Sequence, residues 1–429
     1  METTNVPATT LPAIGPTGAG ERIETIDIVR GFAIFGILLV NMGMFSTPIL
    51  LAMSDTQWWT GSGDRVATWL IRFFAEGKFY PVFSFLFGLA LTLQMDRVES
   101  RGLKFSPLYR RRLFILLAIG LVHAFLIWSG DILVPYALFG FLLLLFRNRK
   151  PKTLLIWAII FLLIPVLLIG VAAAAIELGR SIPEAAKQIN AAFAQAAAEG
   201  KKGVELSLQA YSSGSLADIM VQRLRDLQII YTSIFFYGPN IFALFLLGLY
   251  AGKRRIFQDT SAHSRLLGRV RWWGLGLGVV GNLLYVITRE YSNFSVPNTL
   301  SFLAALGLAL GGPAFCFFYV TSLVALAEHR VGRKWLRTLA PVGRTAVSNY
   351  LFQSLLCTTI FYSYGLGLFG KVGPGLGLVL TAVVFALQLF LSGWWLRHFR
   401  FGPVEWLWRS LTYGKRQVMR LTGEVNAGG

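Results

Sequence analysis

Cysteine is scarce in this chain. Cys316 and Cys357 are the only two in 429 residues, and both lie inside apolar runs. That excludes a disulfide framework and any cysteine-based zinc spacing, and leaves two buried thiols. Charge is scarce too: Asp, Glu, Lys and Arg supply 14% of the residues against 55% hydrophobic, more apolar surface than a soluble fold of this length can cover. Carboxylates are the rarer sign, 21 against 40 Lys and Arg, a net charge of +19. In a soluble chain that excess would point to nucleic acid. Here the basic residues cluster in short segments between apolar runs, which points to anionic lipid and excludes nucleic acid as the expected partner. No basic segment precedes an apolar stretch in residues 1–20, "METTNVPATTLPAIGPTGAG", so they read as a disordered cytosolic tail and not a signal peptide.

What the chain does have is apolar runs of membrane length. They do not alternate in polarity, which sets aside a membrane barrel. A helix satisfies its own backbone hydrogen bonds where water is absent. The expected fold is all-α, a polytopic bundle of about ten spans. They fall near residues 26–45, 79–94, 113–128, 132–146, 154–175, 229–251, 272–287, 300–326, 342–364 and 376–396, with an amphipathic piece at 65–76 before the second. Basic loops follow the even-numbered spans: "DRVESRGLKFSPLYRRR", "RNRKPK", "GKRR", "HRVGRKWLR" and "RHFR". Alternating spans put all of these on one side, which the positive-inside rule makes cytosolic, together with both termini. The chain then divides into the tail 1–20, an N-terminal transmembrane half 21–175, an extracytosolic helix-favouring segment 176–228, and a C-terminal half with its cytosolic tail, 229–429.

Polar residues inside the runs are the candidates for chemistry. "LVHAFLIWSGDILVPYALFG" places His123 and Asp131 in or at the edge of the membrane. His123 is either a helix–helix hydrogen bond or a general base; Asp131 is either an N-cap of the fourth span or the carboxylate that orients the imidazole. Asp27 and Arg30 are three apart and can pair on one helix face, and Asn41 lies on Arg30's face about 16 Å further out. Asn349 and Gln353, four apart, face together, as do Tyr350 and Ser354; such groups also glue helices. Glu76 and Lys78 stand at the mouth of the second span. "FGPVEWLWRS", with Trp406 and Trp408, reads as an interfacial stretch.

Taken together, "RIETIDIVRG" with Arg22, Asp27, Arg30 and Gly31, "KFYPVFSFLFG", the His…Gly-Asp-Ile-Leu…Tyr-Ala stretch, "GRTAVSNYLFQS" and "FGPVEWLWR" resemble the YeiB-like family of bacterial membrane proteins, the domain of unknown function 418. The resemblance covers nearly the whole chain. That family is distantly similar to two groups of transmembrane acyltransferases, the acyltransferase-3 proteins that modify polysaccharides and the heparan glucosaminide acetyltransferases. Where the polysaccharide-acylating group carries a His shortly after the first-span arginine, this chain has Asn41. The resemblance implies a multi-pass protein of the bacterial cytoplasmic (inner) membrane. It would move an acyl group from a cytosolic acyl-CoA, such as acetyl-CoA, to a glycan, lipid or small-molecule acceptor at the outer face, without a metal.

In that reading His123 is the base or a transient acyl carrier, and Asp131 orients it. Asn41, Tyr136, Asn349 and Gln353 serve the oxyanion or the acceptor. Asp27, Arg30, Lys78, Arg110, Arg111, Arg112 and Arg344 form the donor entrance, the cations holding its phosphates. The competing reading is a transporter or a protein that handles lipids or small molecules, since intramembrane Asp, Arg and His also build pathways. A non-catalytic scaffold leaves the buried polar set unexplained, and self-association into a homo-oligomer stays open. The orientation has a direct test. Cysteines placed in the 176–228 segment should react with an impermeant thiol reagent in intact cells, whereas cysteines in "RNRKPK" should not; the reverse pattern would overturn it.

Overall fold

The computed structural model describes residues 23–53, 58–291 and 296–421; the expectations for the tail 1–20 and for Arg22 fall outside them. The chain is a multi-pass helical bundle, and among the described residues seven helical stretches are long and apolar enough to cross a membrane. Helix α1 (Glu24–Ser46) leads through the short α2 (Ile49–Met53) to α3 (Ser62–Phe74) and α4 (Phe79–Glu99). Helix α5 (Phe105–Val122) continues into a π turn (His123–Ile127), and α6 (Leu133–Phe146) returns. Three long helices follow: α7 (Pro151–Arg180), α8 (Pro183–Ser213) and α9 (Leu216–Lys253). The C-terminal half comprises α10 (Ser264–Tyr291), α11 (Thr299–Glu328), the short α12 (Arg330–Leu336) and α13 (Ala340–Arg344), then α14 (Ala346–Phe361), α15 (Pro374–His398) and α16 (Pro403–Tyr413).

The seven crossing stretches are α1, α3–α4, α7, α9, α10, α11 and α15. The other three expected spans fall on α5, α6 and α14. Helices α6 and α14 have 14 and 16 residues. At about 1.5 Å per residue that is shorter than the roughly 30 Å hydrocarbon core. Helix α5 carries Arg110, Arg111 and Arg112 within its length. These shorter elements carry most of the polar side chains taken up below.

Helix α1 is shared by both large apolar cores. Its N-terminal half (Ile26, Val29, Ala33) packs with α4, α5, α6, α7, α9 and α11. Its C-terminal half (Ile34, Leu38, Met42, Phe45) packs with α5, α6, α14, α15 and Trp408 of α16. Glycines let backbones touch where lipid supplies no hydrophobic drive between helices. Gly88 of α4 sits against the Phe245 carbonyl of α9, and Gly248 of α9 against that of Phe85. Helices α10 and α11 close on Gly281, Gly307 and Gly311 in the same way.

At the end of the bundle where α1 begins, Glu24 binds Arg333 at 2.7 Å and Arg337 at 2.9 Å. Glu405 of α16 accepts the N–H groups of Val347 (2.7 Å) and Ser348 (3.1 Å), so one helix caps the start of another. Burial pushes the Glu405 carboxyl above its ordinary range, against the lowering effect of Ser348 and Val347. On the opposite side the Ala-rich stretch forms α8, which runs on through Gly200 and Gly203, and a Ser215–Asp218 capping box starts α9.

The α3–α4 stretch is interrupted at Ala75–Lys78, where Gly77 has φ +76. Phe79 packs on Gly36, the middle of α1, and Gly77 abuts Gly312, mid-way along α11. The break therefore lies deep in the bundle. Glu76 and Lys78, expected at a solvated mouth, are held at this depth because α3 descends into the bundle before the chain turns. If the glycine contacts set the helix spacing, Gly88→Val and Gly248→Val should each lower the melting temperature of the purified protein, at a cost of about 1–3 kcal/mol or more. Gly276→Val, which meets no neighbour, should leave it unchanged. Equal stability in all three would remove the close-approach argument.

Candidate functional site

The polar residues at the tip of the α5–α6 hairpin are buried, while Phe125 and Leu126 of its π turn are exposed. The turn inserts an extra residue into the helical ladder, with the Trp128 N–H donating to the His123 carbonyl at 2.9 Å. His123, Ser129 and Asp131 are all buried there, and Trp128 stacks on Phe45 of α1. His123 Nδ1 lies 2.8 Å from Asp131 Oδ1. His123 Nε2 lies 2.9 Å from the hydroxyl of Ser354 on α14. The other Asp131 oxygen accepts the Val134 N–H at 2.7 Å, which fixes the carboxyl group at the start of α6.

An ionised Asp131 only accepts, and would take a hydrogen bond from the proton carried by Nδ1. In the tautomer with no proton on Nε2, that nitrogen accepts and Ser354 donates to it. The result is an Asp–His–Ser chain, an arrangement able to draw a proton from the serine hydroxyl. Ser354 Oγ is also 3.3 Å from the Tyr350 carbonyl one turn back, a longer contact than the one to His123. Tyr350 braces the same loop: its hydroxyl donates to the Gly130 carbonyl at 3.0 Å and accepts the Ile132 N–H at 3.3 Å. Its ring lies 5.1 Å from the imidazole.

A cavity of about 1200 Å³ occupies the half of the bundle around the C-terminal part of α1. Its rim includes Trp58, Trp59, Arg65 and Glu290, and it descends to the α3–α4 break. Gly130, Asp131, Ile132 and Tyr350 form part of its wall, whereas His123 and Ser354 lie behind them, buried. In this conformation the His–Ser pair is closed off from the cavity by the loop and the tyrosine.

The expected site residues separate into three groups. His123 and Asp131 come together, and Asn41 lines the cavity. Asn349 and Gln353 belong to an amide ladder between helices. The Asn349 amide donates to Thr345 Oγ1 and Ser392 Oγ, both at 2.9 Å, and Gln353 donates to Gln388 Oε1 at 2.8 Å. Gln353 Oε1 is buried without a hydrogen-bond partner. The Tyr136 hydroxyl lies between the Tyr80 carbonyl (3.0 Å) and Ser84 (2.8 Å) on α4.

The third group lies toward the end of the bundle where α1 begins. Arg30 pairs with Asp27 at 2.7 Å and donates to the Gly343 carbonyl at 3.3 Å, next to Arg344, whose Nε is buried without a partner. Arg112 stacks over Trp408 at 4.1 Å and lies within charge range of Arg30. Arg111 reaches Gly414, and Arg110 is exposed. None of these arginines lines the outer cavity. Lys78 is not part of this group: it is fully buried at the α3–α4 break, its ammonium donating to the Arg72 carbonyl at 2.7 Å.

Sequence reasoning passed over Ser354 as a partner of His123 and Tyr350 as the brace. The i,i+4 pairing of Tyr350 with Ser354 was visible, but 231 residues separate Ser354 from His123. Among the described residues no group of three His, Cys, Asp or Glu side chains gathers as a metal ion needs.

Comparison with known proteins places the chain among like sequences. A family model described as "Protein of unknown function (DUF418)" matches residues 251–415. YxaH of Bacillus subtilis (strain 168) is 41% identical, over 94% of this chain and 97% of its own length. YeiB of Escherichia coli (strain K12) is 30% identical, over 91% and 96%. A 39.9 kDa protein encoded in the amylase 3' region of Bacillus acidopullulyticus is 29% identical, over 96% and 99%.

Proposed function

This chain belongs to the DUF418 family, and we propose that it is an acyltransferase of the bacterial inner membrane working through Ser354, His123 and Asp131. One observation carries the reading: both imidazole nitrogens of a buried His are engaged, one by a carboxylate at 2.8 Å and the other by a hydroxyl at 2.9 Å. A histidine that only glues helices needs no such order of acceptor and donor.

Ser354 Oγ attacks the thioester carbonyl of an acyl-CoA while its proton passes to His123 Nε2. The C–S bond breaks, the thiolate leaves with that proton, and the acyl group rests as an ester on Ser354. An acceptor hydroxyl then gives its proton to His123, attacks the ester and releases Ser354, which recovers the proton. Asp131 accepts from Nδ1–H throughout and stabilises the imidazolium in each half-reaction. Arg30, Arg110, Arg111, Arg112 and Arg344 at the cytosolic end suit the phosphates of the donor, and the outer cavity suits the acceptor. Transfer requires Tyr350 and the Gly130–Ile132 loop to part, since they close the cavity from the Ser–His pair.

The interrupted α3–α4 stretch beside a large outward cavity favours a second reading, transport of a substrate that stays unmodified. One assay separates the two. Labelled acyl-CoA is supplied outside inside-out vesicles and a labelled product is sought in the lumen. Wild-type protein should deliver it, and Ser354→Ala and His123→Ala should abolish delivery with donor binding nearly intact. Asp131→Asn should lower turnover about 10²–10⁴-fold, more than it lowers binding. Single-turnover quenching of wild type should leave an acyl ester on Ser354. Activity that survives in His123→Asn or His123→Gln would return His123 to a packing role, because an amide can replace a hydrogen bond but not a base. Unmodified substrate in the lumen would favour transport.

A further inference from the structure

We propose that Arg223, braced by Asp226 and Tyr211, is a positioning residue that holds His123 within reach of Ser354. What the contact achieves rests on the acyl-transfer reading; how it is held rests on geometry alone.

The π turn needs a partner that the nearby chain does not supply. Its first carbonyl, on His123, accepts the Trp128 N–H at 2.9 Å. The backbone then leaves the helix, because Trp128 is extended. Among the described residues no backbone N–H beyond the turn meets the Phe125 carbonyl. Arg223 of α9, 98 residues away, meets it instead, its guanidinium donating at 3.1 Å. The same nitrogen lies 3.2 Å from the Met220 sulfur.

Arg223 is itself held. It is buried, and a buried guanidinium is costly without a counter-charge. Asp226, one turn along α9, lies within charge range of it. Asp226 accepts the Tyr211 hydroxyl at 2.6 Å and the Gln222 amide at 2.9 Å, so its carboxyl group is fixed from two sides. All four residues are buried.

The other end of this network reaches the helix of Ser354. The Tyr211 ring stacks at 4.3 Å on Tyr362, the residue that ends α14. The Tyr211 carbonyl accepts the Ser363 N–H at 2.7 Å, and the Gly214 carbonyl accepts the Ser363 hydroxyl at 2.6 Å. Ser129 and Gly130 of the hairpin tip face Asp226 and Tyr211 across a void of about 10 Å³, the room of one water. One set of side chains on α8 and α9 thus grips both the turn that carries His123 and the end of the helix that carries Ser354. The 2.9 Å contact between those two residues is what the grip protects. Misplacement of a reacting group by about 1 Å can cost on the order of 10²-fold in rate.

Two measurements on the full-length protein in proteoliposomes test the proposal. The first is nitrogen NMR of protein carrying isotope-labelled histidine, with the His123 signals assigned by their loss in His123→Gln. Wild type should show one tautomer, protonated at Nδ1 and accepting at Nε2. Arg223→Met, which keeps the length and removes the donor, should give mixed tautomers with a weaker bond at Nε2. Arg223→Lys, which keeps a charged donor, should restore the wild-type signals at least in part. The second is the single-turnover rate of Ser354 acylation. Arg223→Met should lower it about 10- to 100-fold at saturating acyl-CoA, with the half-saturating concentration nearly unchanged, and Arg223→Lys should recover part of the loss. Tyr211→Phe keeps the stack on Tyr362 but removes the hydroxyl from Asp226, and should move signals and rate the same way by less. A lower melting temperature in Arg223→Met with His123 signals and rate as in wild type would make Arg223 a packing residue and overturn the proposal. If Arg223→Met does not fold, Tyr211→Phe decides, and unchanged His123 signals in it overturn the proposal. If wild type forms no acyl ester, the transfer reading fails, and the His123 signals in Arg223→Met and Arg223→Lys still decide how the imidazole is held.

Discussion

A carboxyl group buried in a membrane protein needs a partner for each oxygen, and Asp131 has one on each side. Val134 N–H meets one oxygen and the His123 ring meets the other. Those two contacts tie the end of α5 to the start of α6, so the hairpin can turn inside the bundle. The same contacts fix which imidazole nitrogen faces Ser354. Tyr350 strengthens the arrangement by bonding to the residues on either side of Asp131. The architecture of the tip and the polarity of the candidate site thus share one cause, and neither can be altered alone.

Elsewhere the bundle handles polar groups by two different means. Between α14 and α15 it uses amides: Asn349, Gln353 and Gln388 exchange hydrogen bonds across the interface, and Ser392 and Thr345 complete the set. Such pairs are worth about 1 kcal/mol each in a membrane, enough to hold a register between short helices. Between α4 and α9 and between α10 and α11 it uses glycine, letting backbones meet directly. The α3–α4 break uses neither. It keeps charged side chains at depth beside an open cavity, where Glu76 accepts the Tyr285 hydroxyl and Lys78 donates to the Arg72 carbonyl.

The two ends of the bundle are chemically unlike. At the end where α1 begins, Arg30, Arg112 and Arg344 stand around α1, α5 and α13, backed by the Glu24 pairs with Arg333 and Arg337. Toward the other end a broad cavity lies between tryptophans at its rim and Asp131 and Tyr350 on its wall. The buried His–Ser pair lies between the arginine-rich end and the cavity, closed off from the cavity by Tyr350 and the Gly130–Ile132 loop.

The sequence by itself determined that the protein is a multi-pass helical bundle, because apolar runs of membrane length leave the backbone no other way to satisfy its hydrogen bonds. It also made His123 and Asp131 candidates. They lie eight residues apart on either side of a Ser-Gly turn, so local chain geometry alone brings them near each other. Ser354 was out of reach, since its meeting with His123 depends on α14 packing across from α5, a contact that no local periodicity encodes. The same holds for Arg289 and Tyr285, which reach Glu76 only once α10 lies beside the break. Lys78 shows the converse. Sequence placed it at a helix mouth, but α3 folds inward as a half-span and carries that mouth to the middle of the bundle. Period and composition report what one helix needs from its solvent; which side chains meet is decided by helix packing, whose partners lie hundreds of residues apart.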